Sequence, residues 1–425
     1  MKFAIASDFH LGYNDDALEQ ARRCMREACE KADFVILAGD LFDARVPKQE
    51  TVHDAVKLYK EFSAKLRTSG GGKIVVKEIF GGSGARGGSA GSGGVGGVPE
   101  KVLDAAPLLG IYGTHERRAK GLSNIIQVLD DGGLMVNLHA RKIVVEHVGG
   151  GKRERVCVQA MGGVPEEMAK KAIELLEFRP EQGCFNVFVF HQSVRELIPQ
   201  DESALSMADL PQGFDLYVNG HIHWRQELDE AGKKLLIPGS TVVTQMKESE
   251  THPKGFFLYD SEKRSADFHE IHTRPFVFKQ LEFKAAHPAE VEKACREFLE
   301  KVAQEHADEM PLVKLKLVGT LAPGLSASTL DVTKLEKEYA DKIILNVDKQ
   351  VGALEMREKI ELLRRIREEK AGAKEMGLDV LKKLLKQNGA EKELGGPQEI
   401  EELFELLSQG EVEKAVEKVL ASGEK

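Results

Sequence analysis

At 425 residues the chain is long enough for two or three domains, each with its own core. Apolar residues make up 42% and charged residues 30%, the balance of a globular protein, and no apolar run approaches the roughly 18 residues of a membrane span. The net charge of −9 excludes a general attraction to nucleic acid, so any such contact rests on a local basic patch or on metal ions facing phosphate.

The opening stretch, MKFAIASD, turns polar by its seventh residue. It predicts a buried strand over 3–7 and is too short for a signal peptide, which points to the cytoplasm. Five cysteines (Cys24, Cys29, Cys157, Cys184, Cys295) form no C-x-x-C pair, so they are expected as small buried hydrophobes. Residues 17–31 and 51–66 carry apolar residues at helical spacing around a second strand at 34–37, an α/β layered pattern.

The run 81–97, GGSGARGGSAGSGGVGG, holds ten glycines and three serines in seventeen residues. It has no side chains with which to build a core and is expected as a surface loop or linker. Strands follow at 108–112, 142–146, 155–160, 186–190, 216–219, 234–238 and 255–259. From Pro275 a β-α-β-α-β order is expected, with strands at 276–283, 312–318 and 343–347 and helices at 289–306 and 332–340, a separate small domain. Residues 354–374 are dense in Lys, Arg and Glu and predict a solvated helix. Two amphipathic stretches close the chain, one on Leu378, Leu381, Leu384 and Leu385, the other on Ile400, Leu403, Phe404 and Leu407, continuing past Gly410 into Val412, Val416, Val419 and Leu420. Either they pack on each other as a hairpin or they dock on a partner.

Five groups of polar residues each follow a short apolar strand: Asp8-Phe9-His10, Gly39-Asp40, Gly113-Thr114-His115-Glu116, His191, and Gly220-His221-Ile222-His223. In α/β sheets, ligand-binding residues gather beyond the carboxyl ends of strands, so residues far apart in sequence are expected to converge. All the donors are oxygen or imidazole, a set that suits Mn, Fe or Zn. A pair of such ions needs a bridging carboxylate and neutral imidazoles; it holds phosphate oxygens and lowers the pKa of a shared water.

The order D-x-H, G-D, G-N-H-D/E, H, G-H-x-H is the signature of the calcineurin-like metallophosphoesterases. Within them the chain resembles the SbcD type, the meiotic-recombination-eleven nucleases of double-strand-break repair, in an archaeal-like form. The motifs that carry the resemblance are SDFHLGY (7–13), AGDLFD (38–43), NGHIH (219–223), PGSTVVTQMKE (238–248) and TRPF (273–276), and it covers about residues 1–350. It implies a four-layer sandwich of two mixed sheets flanked by helices over 1–274, a capping domain at 275–350, a charged helical linker at 351–374 and partner-binding helices at 375–425. The implied activity is manganese-dependent exo- and endonucleolytic processing of double-stranded DNA ends. It would be performed by a dimer, with two Mn²⁺ per chain, together with an SMC-like coiled-coil ATPase docked on about 375–421.

By the same resemblance Asp8, His10, Asp40 and His223 hold one metal. Asp40 bridges to a second, held also by His191 and His221, and His115 protonates the leaving oxygen. Thr114 stands where the pattern has an asparagine ligand; either its hydroxyl or a water takes that place. Asp43 is a carboxylate that could orient His115. Arg117 and Arg118 are read either as DNA phosphate contacts or as solvated charge at a helix start. Dimer helices are implied at about 50–66 and 121–131, the second carrying Leu122, Ile125, Ile126 and Leu129, with packing inside the subunit as the alternative. A small-substrate phosphatase or phosphodiesterase on the same site, and a non-catalytic DNA-end scaffold with a degenerate second metal site, stand as rival readings.

Overall fold

Strand β1 (Lys2–Ala6) shows how the sequence builds layers. Its side chains alternate, so Phe3 and Ile5 enter one core while Ala4 and Ala6 enter another on the opposite face. β2 (Phe34–Leu37) repeats this, with Phe34 and Ile36 on one side and Val35 and Leu37 on the other. These positions belong to a computed structural model. It describes residues 1–68, 73–79, 100–104, 106–119, 121–148 and 154–352, and in the C-terminal segment 377, 378, 380–382, 385, 397–408 and 411–422. The glycine-rich run 81–97 and the charged run 354–374 lie outside the described residues.

The first sheet has six strands. β1 and β2 continue into β5 (Leu108–Gly110) and β6 (Val136–Asn137), all parallel, and β13 (Gly255–Asp260) and β14 (Ser265–Glu270) extend the other edge antiparallel. The second sheet has eight, in the order β11 (Gln226–Glu230), β12 (Lys233–Ile237), β10 (Leu216–Asn219), β9 (Phe185–Phe190), β8 (Glu154–Met161), β7 (Lys142–Val148), β3 (Lys73–Ile79) and β4 (Glu100–Leu103). Its centre, β12-β10-β9-β8, is parallel.

The two sheets pack face to face through Phe3, Ile5, Phe34 and Ile36 from one and Val158, Val187, Val189 and Val218 from the other. On the outer face of the first sheet lie α1 (Asp15–Lys31), α2 (Gln49–Thr68) and α3 (Ile125–Asp131), burying Met25, Phe62 and Leu129 among others. On the outer face of the second, α4 (Glu166–Leu176) places Ala169 and Ile173 against Phe188 and Tyr217. Helix, sheet, sheet, helix is the expected four-layer sandwich. Buried apolar area on three faces is the main stabilising term, at about 25 cal/mol per Å².

The chain divides into two units. One comprises Met1–Lys279, Leu299–Leu315 and Glu336–Asn346, the other Gln280–Phe298, Lys316–Leu335 and Val347–Lys425. The expected β-α-β-α-β elements are present as β15 (Phe276–Ala286), α5 (Pro288–Glu305), β16 (Leu312–Leu321), α6 (Val332–Glu338) and β17 (Ile344–Gly352), the three strands forming one sheet in the order β15-β16-β17. β17 continues past the expected end at 347 to Gly352, taking the first two residues assigned to the linker. The run expected to continue past Gly410 is split into α7 (Pro397–Ser408) and α8 (Val412–Ser422). The terminal helices do pack on each other through Leu403 and Ala415, with Leu381, Leu385 and Leu406 against them, while Leu407, Val412, Val416 and Val419 remain exposed.

In the stretch at 121–131, Ile126 and Leu129 are buried in the subunit's own core and Ile125 packs on it, whereas Leu122 and Val128 are exposed. Four cysteines are buried as expected, but Cys184 is only half-buried, at the margin of a small cluster of Ile79, Val144 and Cys157.

Candidate metal centre

The candidate ligands stand just past the carboxyl ends of parallel strands: Asp8 and His10 after β1, Asp40 after β2, Thr114 and His115 after β5, His191 after β9, His221 and His223 after β10. Four of them turn sharply. Asp8, His10, Asp40 and His221 have φ of 53°, 46°, 48° and 71°, the left-handed region that side chains other than glycine's avoid. Such strain clusters where surrounding structure over-determines a working site. Two glycines explain the spacing of the motifs. A Cβ at Gly113 would lie 2.1 Å from Asp40 Oδ1, and one at Gly220 would lie 2.2 Å from the Ala38 carbonyl oxygen.

Three groups of donors result, each with its ligand atoms within 4.8 Å of one another: Asp8, His10 and His223; Asp40, His191 and His221; and His10, Asp43 and His115. In the first, His10 Nε2 and His223 Nε2 are 3.3 Å apart, and Asp8 Oδ1 lies 3.8 and 3.7 Å from them. Asp8 is steadied by the Ser7 hydroxyl and by the His221 N–H at 3.2 Å, which also ties the first group to the second. In the second, Asp40 Oδ2 lies 3.0 Å from His191 Nε2 and accepts from the Thr114 hydroxyl at 3.1 Å, while its Oδ1 accepts from the His115 N–H at 2.8 Å.

The partners of the other ring nitrogens assign the tautomers. Asp43 Oδ1 faces His10 Nδ1 at 3.1 Å, and the Ala38 carbonyl faces His191 Nδ1 at 2.7 Å. Both oxygens accept only, so Nδ1 carries a hydrogen in each ring, and Nε2 is the nitrogen that turns a lone pair inward once the ring is neutral. His223 Nδ1 donates to the Thr244 hydroxyl, which donates to Glu250 Oε1 at 3.3 Å, and the buried Lys254 ammonium holds the other oxygen of Glu250. Converging imidazole lone pairs and carboxylate oxygens without a thiolate are the donor set of a hard or borderline divalent cation, so these residues fit one.

Charge inside the site is strongly coupled. Burial opposes the charged form of His191, but Asp40 beside it, with help from Asp8 and the Ala38 carbonyl, outweighs burial and pushes its pKa up to about 10. For Asp40, burial is outweighed in turn by His191, His10 and His115, which hold its carboxyl well below the usual range. His221 is pushed down to about 3 by burial and the neighbouring His191 charge.

His115 sits at the rim with its side chain 42% exposed. Its Nδ1 donates to the Asp43 carbonyl at 2.8 Å, and the Asp43 carboxylate is 3.4 Å from the same nitrogen. The Asp43 carboxylate approaches His10 more closely, so this residue braces two rings rather than one. Arg117 and Arg118 do not start a helix. Residues 114–116 form a turn, and α3 begins only at Ile125, because the Asn124 cap and its reciprocal bond with Gln127 lie there. Arg118 instead donates to the Arg45 carbonyl at 3.3 Å.

Three acidic residues near the site are given no role by the sequence. Glu116 is fully buried; it accepts the Phe42 N–H at 2.8 Å and the Gly113 N–H at 2.6 Å, clipping the Asp40 loop to the His115 turn. Burial, then Asp40, pushes its pKa up to about 8 against those two bonds. It lay inside a quoted motif and could have been found there. Glu250, paired with Lys254 behind His223, and Glu166, 3.8 Å from His221, carried no local signal.

No family model matches the chain. The chain is similar to the double-strand break repair protein mre-11 of Caenorhabditis elegans, 26% identical over 290 residues, covering 61% of this chain and 39% of that protein. It is similar to the DNA double-strand break repair protein Mre11 of Archaeoglobus fulgidus, 25% identical over 380 residues, covering 81% of this chain and 72% of that one. It is also similar to the double-strand break repair protein MRE11 of Homo sapiens, 25% identical over 369 residues, covering 74% of this chain and 50% of that one. The chain thus spans about half the length of most of these relatives.

Proposed function

We propose that this chain is a two-metal phosphodiesterase that cleaves DNA, processing double-strand-break ends as an exo- and endonuclease. The observation that carries the reading is the convergence of five strand ends on two adjacent carboxylate–imidazole groups with an exposed histidine at their edge. The first cation would be held by Asp8, His10 and His223 and the second by His191 and His221, with Asp40 shared between them. When bound, two Mn²⁺ would supply charge for phosphate oxygens and lower the pKa of a water.

The chain's own residues supply the rest. His115 donates its Nδ1 hydrogen to a carbonyl, so only its cation carries a proton on Nε2, the nitrogen left for a departing oxygen. The Asp43 carboxylate stabilises that cation. Glu116 fixes the turn that presents the ring. Arg117 and Arg118 extend the same turn as contacts for phosphate.

The names of the relatives support broken DNA as the substrate. The same reading proposes 275–350 as a capping domain and a homodimer through the faces around α2 and α3, where Leu122 and Val128 are exposed. It also proposes an SMC-like ATPase on the terminal helices, supported by the exposed Val412, Val416 and Val419, and a cytoplasmic, nucleoid-associated location. No helix among the described residues is long and apolar enough to cross a membrane. The test is cleavage by the purified chain with Mn²⁺ of linear duplex DNA and of a small phosphodiester. Cleavage of DNA that His115→Ala removes is expected; hydrolysis of the small ester alone would sink the nuclease reading.

A further inference from the structure

We propose that Tyr112 and Arg117 form a subsite for one backbone phosphate of the bound DNA strand, beside the metal centre. The proposal rests on the DNA-cleaving reading above and deepens it by naming a phosphate-binding hydroxyl.

The Tyr112 hydroxyl has a hydrogen to spare, and His139 is the reason. The Gly162 N–H donates to His139 Nδ1 at 3.0 Å, so that nitrogen presents its lone pair and the hydrogen of the neutral ring sits on Nε2. Burial lowers the pKa of His139 and so favours the neutral ring. Nε2 lies 3.2 Å from the Tyr112 hydroxyl and donates to its oxygen. The phenol hydrogen is then left over, and no acceptor takes it among the described residues.

Both rings are held in place. The backbone of His139 pairs with Ala160, its N–H donates to Asn137 Oδ1 at 3.1 Å, and Leu138 donates to the Gly110 carbonyl at 2.8 Å. A Cβ on Gly162 would lie 2.8 Å from the Tyr112 ring, so the glycine lets this loop close on the phenol.

Arg117 supplies the charge. Burial pushes the Tyr112 pKa up and the Arg117 charge pulls against it, which sets the guanidinium near the phenol. Arg117 is half-buried and has no hydrogen bond or ion pair among the described residues, whereas Arg118 already donates to the Arg45 carbonyl. A spare hydroxyl hydrogen beside an unpaired guanidinium is a donor pair for a phosphate. The place suits a strand held at the metals. Gly113, next to Tyr112, is pressed against Asp40, and Tyr112 stands three residues before His115. Three residues of chain reach at most about 11 Å, or about three nucleotide steps of a strand.

The test is binding, by fluorescence anisotropy, of short duplexes in which one linkage at a time is a methylphosphonate, which removes the charge of that phosphate. The parent protein is the full chain carrying His115→Ala with Mn²⁺, which leaves the DNA uncut during the measurement. Neutralising one linkage within about three nucleotides of the one that the wild type cuts is expected to weaken binding about 10-fold, as loss of a charged hydrogen bond does. Adding Tyr112→Phe, which keeps the ring packing, or Arg117→Gln should shrink that penalty to below about threefold, because both act on the same phosphate. Arg117→Gln should also lower the slope of log K against log salt by about 1, and Tyr112→Phe, which removes no charge, should leave the slope as it is. Penalties that are the same at every linkage with and without these substitutions would overturn the subsite and leave the nuclease reading standing. A parent that binds no DNA would overturn both.

Discussion

His10 and His223 face each other Nε2 to Nε2 across 3.3 Å, and each ring has its Nδ1 committed to a partner behind it. In neutral rings this arrangement aims two lone pairs at one another, an unfavourable contact that a cation between them relieves. Mn²⁺ is therefore expected to stabilise the fold by mass action. At about 100 times the dissociation constant one site adds about 2.7 kcal/mol, a rise in Tm of about 5 °C for a domain of this size. Scanning calorimetry with Mn²⁺ and then with excess chelator checks it. The rise should shrink in His10→Ala and in His223→Ala. A Tm indifferent to Mn²⁺ in the wild type would remove the metal centre from consideration.

His115 lies outside the Asp8–His10–His223 and Asp40–His191–His221 groups, so its removal should spare metal binding. His115→Ala is expected to slow DNA cleavage by about 10²–10⁴-fold, the usual worth of a general acid. A phosphodiester with a good leaving group needs no proton on departure, and its hydrolysis should fall far less. Equal losses on both substrates would show that His115 works in some other way than as a proton donor.

The main chain of ligands was legible because each ends a short apolar strand, and strand-end convergence is a general property of parallel sheets. The glycines before Asp40, Thr114 and His221 stand in the same motifs, but that strand-end loops touch there is visible only in the fold. What stayed hidden depends on long-range contacts. Nothing near Glu250 in sequence says that its carboxylate supports His223, twenty-seven residues earlier, through Thr244. The sequence leaves either the Thr114 hydroxyl or a water in the asparagine's place, and the donation of that hydroxyl to Asp40 is visible only in the fold. Two of the strands that escaped, β11 and β14, are edges with polar faces, where apolar alternation is weak. Of the two readings of Arg117 and Arg118, solvated charge at a helix start fails because the cap that begins α3 stands at Asn124.

Glu116 satisfies two backbone N–H groups at once, on Phe42 and Gly113, in a place where no water reaches its side chain. Glu116→Ala orphans both and leaves a cavity, so it should cost about 3–5 kcal/mol in urea unfolding, at about 1–3 kcal/mol for each unmet donor. Glu116→Gln keeps one good acceptor and should cost about half as much. Both variants should also cleave DNA more slowly, because the turn bearing His115 loses its clip. If Glu116→Ala unfolds within about 1 kcal/mol of the wild type, the clip does not hold the two loops together.

Lys254 and Glu250 form a buried ion pair, with side chains 4% and 3% exposed, behind His223. Burial pulls the lysine's pKa down, and Glu250 works against that pull. Breaking one side of such a pair leaves an uncompensated charge, so Lys254→Met and Glu250→Leu should each destabilise by about 3–5 kcal/mol. The double variant carries no buried charge and should lie closer to the wild type than either single. Metal affinity should behave differently. Without Glu250 the Thr244 hydroxyl loses its acceptor, so His223 loses the chain that fixes its tautomer. The cation at Asp8, His10 and His223 should then bind about 10-fold more weakly in Glu250→Leu and in the double variant alike. Urea unfolding and Mn²⁺ titration on the same four proteins separate the two effects. If affinity recovers together with stability in the double variant, the pair serves packing alone and does not position His223.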